Sequence, residues 1–66
     1  MKNRYITNRN IDDTKGRLIK NIYSGATYKV IGVGRSLVSV TRNDTQFIEY
    51  FTKRYVKDNF ILLGGY

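Results

Sequence analysis

The sequence predicts a small all-β domain, and three observations predict it. Short segments rich in Val, Ile, Tyr, Phe and Thr alternate apolar and polar side chains, the period of a strand with one buried face. Glycines punctuate those segments at Gly16, Gly25, Gly32, Gly34, Gly64 and Gly65. Proline, internal repeats and low-complexity runs are absent, and 66 residues leave room for one domain, taken as residues 1–66.

The first segment, "RYITNRNI" (Arg4 to Ile11), carries cations and asparagines that suit an edge strand pairing with the segment after the next turn. Its alternative is a mobile basic arm over residues 1–13 that folds onto a polyanion. "DDTKG" then supplies a turn, since aspartates bond to nearby backbone and glycine accepts positive φ. "RLIKNIY" (Arg17 to Tyr23) alternates Leu18, Lys20 and Ile22 with Ile19, Asn21 and Tyr23.

After the turn "SGA", "TYKVIGV" (Thr27 to Val33) sets Tyr28 and Val30 on one face and Lys29 and Ile31 on the other. Val33 falls out of that alternation, and a bulge at Gly32 or Gly34 would restore it. "GRS" turns into "LVSVTR" (Leu37 to Arg42), with Val38 and Val40 inward, and "RND" turns into "TQFIEYF" (Thr45 to Phe51). Thr52 is an N-cap candidate for one tight helical turn that carries Lys53, Arg54 and Lys57 and points Val56 into the core. "NFILL" (Asn59 to Leu63) closes the domain, and "GGY" is a loose end.

Four or five short antiparallel strands with one helical turn before the last form an SH3-like barrel. An OB-fold would need a helix between its third and fourth strands, and no segment supplies one. The expected core is Ile19, Tyr28, Val30, Val33, Val38, Val40, Ile48, Tyr50, Val56, Phe60 and Leu62.

At "SGATYKVIGVG", "LVSVT", "IEYF" and "VKDNFILL" the sequence resembles the short SH3-like proteins of phages and other mobile elements. The positions that carry the resemblance are Gly25, Tyr28, Val30, Val38, Val40, Tyr50, Phe51, Asn59, Phe60 and Leu62, all core or turn residues. The run "VIGVG" is also similar to the KOW-type barrels of ribosomal and transcription-elongation proteins, although Gly32 and Gly34 sit inside and just after a strand where that family places a glycine in a loop. The phage-like resemblance implies a small accessory factor that touches nucleic acid or binds and blocks a host protein.

Composition narrows the chemistry. Cysteine and histidine are both absent, which removes disulfides, thiolate chemistry, zinc sites and the usual general base. The five carboxylates are scattered, Asp12 and Asp13 being neighbours on opposite sides of an extended chain. The expectation is therefore a binding protein that is not an enzyme and uses no metal or cofactor. No apolar run approaches the length of a membrane span, and "MKNRYITNRN" lacks the apolar middle of a signal peptide, so a cytoplasmic protein without membrane contact is expected.

Twelve Lys and Arg against five Asp and Glu leave a net charge of +7. Such a field attracts DNA, RNA or an acidic protein surface and speeds encounter with them at low salt. The candidate contact residues are Lys29 and Arg42 on outward strand positions, Arg35 at a turn, and Lys53, Arg54 and Lys57 on the helical turn, expected to form one contiguous face. Tyr55 is the ring expected to stack on a base; its alternative is to cover the barrel end with its hydroxyl at the rim. For the cations the alternative is a solvated face partly neutralised by Glu49 and Asp58. "GVGRS" (Gly32 to Ser36) has the glycines of a phosphate-cradling loop but neither its spacing nor a following helix, and is read as a hairpin turn.

Two partners therefore remain open: nucleic acid, and an acidic groove on a host protein, in the host cytoplasm if the chain is phage-encoded. Exposed Ile31, Leu37, Phe47 and Phe51 would be costly on so small a monomer, and a homodimer would account for them.

Overall fold

A computed structural model describes residues 5–42 and 46–63. Strands β1 (Leu18–Asn21), β2 (Thr27–Val33), β3 (Leu37–Arg42), β4 (Ile48–Thr52) and β5 (Phe60–Leu62) form one antiparallel sheet. Their order is β4-β3-β2-β1-β5, and a helix, α1 (Lys53–Asn59), links the two edge strands and packs on β3, β4 and β5. The chain thus forms the five-stranded SH3-like barrel that its alternation predicts. No helix among the described residues is long and apolar enough to cross a membrane.

The alternation of β1, β2 and β3 sends one set of side chains inward. Ile19, Tyr28, Val30, Val38, Val40, Val56, Phe60 and Leu62 are buried as expected, and Val33 is partly buried against them. The bulge lies where the broken alternation of "TYKVIGV" requires it. Val30 pairs with Val40 but Gly32 pairs with Ser39, so Ile31 is the extra residue and Val33 returns to the core opposite Val38.

The first segment departs from expectation. Among the described residues it does not pair with β1 but makes a bridge between Tyr5 and Ile61 and then curls into a 3-10 turn at Ile11–Asp13. The cause is local: the Asn10 carboxamide oxygen accepts the Thr7 N–H at 2.8 Å, and the Thr7 carbonyl accepts the Ile11 N–H at 2.9 Å. Asparagine and threonine side chains offer the backbone an alternative to a ladder, and here it is taken. Ile6 and Ile11 are buried by the curl and add two core residues that the strand assignment did not include.

Strand β1 ends at Asn21, two residues short of the predicted Tyr23. The buried Asn21 side chain explains the stop, because its oxygen accepts the N–H groups of Tyr23 at 2.8 Å and Ser24 at 3.0 Å. Gly25 then takes φ of +79°, a conformation costly for any residue with a Cβ.

In β4 the predicted phase is reversed. Val38 pairs with Phe51 and Val40 with Glu49, which turns Ile48 and Tyr50 outward rather than into the core; they are 50% and 63% exposed. Apolar side chains stand on both parities of "IEYFT", so alternation alone does not choose the face. Phe51 decides it, with ring centroids 5.4 Å from Tyr28 and 5.5 Å from Phe60, which makes it a partly buried core partner rather than an exposed residue.

The helical turn is longer than predicted, a seven-residue α-helix, while its N-cap is the expected one. The Thr52 hydroxyl accepts the Tyr55 N–H at 3.1 Å. Val56 is the buried residue of α1, and Asn59, expected in the closing strand, is the last residue of the helix. Strand β4 starts at Ile48, so Gln46 and Phe47, expected in that strand, lie before it. The turn expected at "RND" beyond Arg42, the strand start expected at Thr45 and the tail after Leu63 fall outside the described residues.

Candidate functional site

Strand parity decides where each cation points, and it separates two that were expected together. Lys29 pairs with Leu18 and Thr41 and projects from the outer face, exposed. Arg42 pairs with Tyr28 on the inward row. Its guanidinium carbon stands 5.8 Å from the Tyr28 ring centroid, and its Nε is 3.6 Å from Glu49 Oε2. Arg42 is therefore not an outward position: it stacks at the end of the barrel with a carboxylate beside it.

The helix cations divide again. Lys53 and Lys57, one turn apart, face the curled N-terminal segment: Lys53 Nζ is 3.1 Å from Asp12 Oδ1, and Lys57 Nζ donates to Asn8 Oδ1. Arg54 points elsewhere, with its Nε 3.9 Å from Asp58 Oδ2 and both groups largely in solvent. The contiguous face expected from the sequence is thus divided among an inner end, a strapped helix face and a solvent face. The reason is the helical period, which separates residues 53 and 54 by about 100°.

Arg35 is exposed at the tip of the β2–β3 turn. That turn is tied to the helix, since the Ser36 carbonyl accepts the Lys53 N–H at 3.0 Å. The Gly34 N–H donates to the Leu37 carbonyl at 2.8 Å, the closure of a hairpin rather than of a phosphate cradle.

Tyr55 packs against Phe51 at 5.1 Å and Phe60 at 5.7 Å between ring centroids, joining a cluster with Tyr28. Of the two roles open to it, covering the barrel end is the one its contacts display. At 42% exposure it offers less ring to a ligand than Tyr50 does.

The outer face of the sheet holds what the sequence reading missed. Its outward strand positions carry Lys20 and Lys29 and no carboxylate, together with exposed Leu18, Ile31, Leu37, Ile48 and Tyr50. Lys20 pairs with Thr27 and Lys29 with Leu18, so the two lysines are diagonal neighbours on adjacent strands. Lys20 was detectable in the sequence as an outward residue of "RLIKNIY". Tyr50 was hidden by the ambiguous phase of β4.

Comparison with known proteins finds no family model, no curated protein and no solved structure that matches this chain.

Proposed function

We propose that this chain is a non-enzymatic nucleic-acid-binding barrel that holds backbone phosphates through its exposed cations. The distribution of charge carries the reading. Three carboxylates, Asp12, Glu49 and Asp58, are each paired with a cation on the helix or at the barrel end. Lys20, Lys29 and Arg35 have no carboxylate within ion-pair distance among the described residues, in a chain of net charge +7. Unneutralised lysines and arginines at solvent positions release counterions from a polyanion when they bind it.

Fluorescence anisotropy with labelled single-stranded and duplex DNA and RNA over a salt series tests this. Affinity is expected to fall steeply between about 50 and 200 mM salt, with a log–log slope of roughly 0.7 to 0.9 for each phosphate neutralised. Lys29→Glu combined with Arg35→Glu is expected to weaken binding without changing the melting transition. A salt-independent interaction, or none, rejects the reading.

A second reading is favoured by one observation. Leu18, Ile31, Leu37 and Ile48 are exposed on the outer face among its lysines, and β4, which carries Ile48, is an edge strand of the sheet. Exposed apolar area of this kind suits a protein partner, and an edge strand can accept another strand. A phage-like factor of this shape would dock on an acidic host protein and inhibit or redirect it. It would be retained with that protein after nuclease treatment and released by Ile48→Glu; loss of the interaction on nuclease treatment would return the choice to nucleic acid. Both readings act in the cytoplasm, that of the host if the chain is phage-encoded.

A further inference from the structure

The ladder across the sheet places Tyr50 beside two positions with almost no side chain. Tyr50 pairs with Ser39, and Ser39 pairs with Gly32. A Cβ built on Gly32 would meet nothing nearer than the Ser39 hydroxyl at 4.0 Å. The row Gly32–Ser39–Tyr50 is therefore a shelf with little side chain, one large ring standing at its end and exposed Ile31 of the bulge beside Gly32. That ring is 63% exposed and its hydroxyl has no hydrogen-bond partner among the described residues.

Cations flank the shelf on both sides. Lys29 precedes Gly32 by three residues and Arg35 follows it by three. Because of the bulge Lys29 faces Thr41, two residues from Ser39, which puts it roughly 7 Å from the shelf along the ladder, while Arg35 stands past the end of β2 at the hairpin tip. A polynucleotide laid along the β2–β3 hairpin would meet a positive charge before and after the base resting on Tyr50. Apolar Ile48, next to Tyr50 on the same face of β4, extends the surface under that base.

We propose that this shelf is a stacking site for single-stranded nucleic acid, with Tyr50 as the platform and Lys29 and Arg35 holding the flanking phosphates. The proposal rests on the nucleic-acid reading above and narrows it to one ligand class and one place. A single strand is the occupant because its bases expose faces that a duplex keeps within its own stack. The outer face also presents a sheet, with no helix or ribbon among the described residues rising from it to enter a major groove.

The test compares labelled oligodeoxythymidylate with a duplex of equal length, using wild type, Tyr50→Ala, Tyr50→Phe, Tyr50→Trp and Tyr55→Ala. Tighter binding to the single strand is expected, with Tyr50→Ala losing about 5- to 150-fold of it. Tyr50→Phe should keep binding near the wild-type level, which separates stacking from loss of the fold. The chain lacks tryptophan, so Tyr50→Trp supplies a single indole whose fluorescence should be quenched on binding. Tyr55→Ala, measured under conditions where circular dichroism reports a folded protein, should lose less affinity than Tyr50→Ala.

Unchanged affinity of folded Tyr50→Ala, or equal preference for duplex, overturns the stacking site while leaving nucleic-acid binding intact. If wild type binds neither probe, the broader reading falls and the site falls with it. A dimer seen by light scattering that Tyr50→Ala splits, with oligothymidylate affinity unchanged, would assign the shelf to a second copy and overturn the proposal.

Discussion

Lys53 Nζ stands 3.1 Å from Asp12 Oδ1, 41 positions earlier in the chain, and so ties the helix to the N-terminal segment. The same helix face sends Lys57 to Asn8. These contacts strap the curled segment across α1 and engage two of the cations that a linear reading assigns to a ligand.

Breaking the strap should change binding more than stability. Asp12 is mostly in solvent, and exposed ion pairs contribute less than about 1 kcal/mol. Asp12→Asn is expected to move the urea midpoint slightly and to raise affinity for nucleic acid by freeing Lys53. A drop in affinity would mean that the ordered strap, rather than the freed cation, is what the ligand uses.

The N-cap can be tested alone. Thr52→Ala removes the acceptor for the Tyr55 N–H and should cost about 1 kcal/mol in chemical denaturation. Thr52→Ser keeps the oxygen and should recover most of the loss; if the two variants are equally stable, the cap is not stabilising α1.

Core truncations should divide by size. Phe60 is 2% exposed and touches three other rings, so Phe60→Ala is expected to cost about 3–5 kcal/mol, a large share of the stability of a domain this small. Ile19, 0% exposed, is better suited to a quantitative test, with Ile19→Val expected to cost about 0.5–1.5 kcal/mol. Circular dichroism melts of the pair would contradict this packing if Phe60→Ala were the milder change.

Gly25 gives a backbone test. Its φ is +79°, and the space that a Cβ would occupy is open, so any penalty in Gly25→Ala comes from conformation rather than collision. About 1–2 kcal/mol is expected from denaturation, with Gly25→Asn costing less because asparagine tolerates this region. A neutral Gly25→Ala would indicate that the turn relaxes to negative φ.

The architecture was legible where a single parity was apolar. In β2 and β3 only Tyr28, Val30, Val38 and Val40 could form a continuous buried row, and the misplaced Val33 announced the bulge. The N-cap at Thr52 was legible too, because a hydroxyl just before a stretch without strand alternation is a local signal. The N-terminal segment was misjudged because its cations and asparagines suit an edge strand, while the bonds from Asn10 and Thr7 that curl it depend on geometry that alternation does not express.

The candidate site was less legible for the same kind of reason. Composition alone establishes a basic, cysteine-free and histidine-free chain, and periodicity alone establishes short antiparallel strands, since both properties belong to residues or to their immediate neighbours. Tertiary structure decided that Tyr50 faces solvent, that Arg42 turns inward to Glu49, and that Asp12 and Asn8 hold Lys53 and Lys57. Each of those outcomes depends on which distant strand or segment is adjacent. Strand register and helix phase are selected by the whole core at once, through contacts such as Phe51 with Tyr28 and Phe60, and local pattern carries no record of that choice.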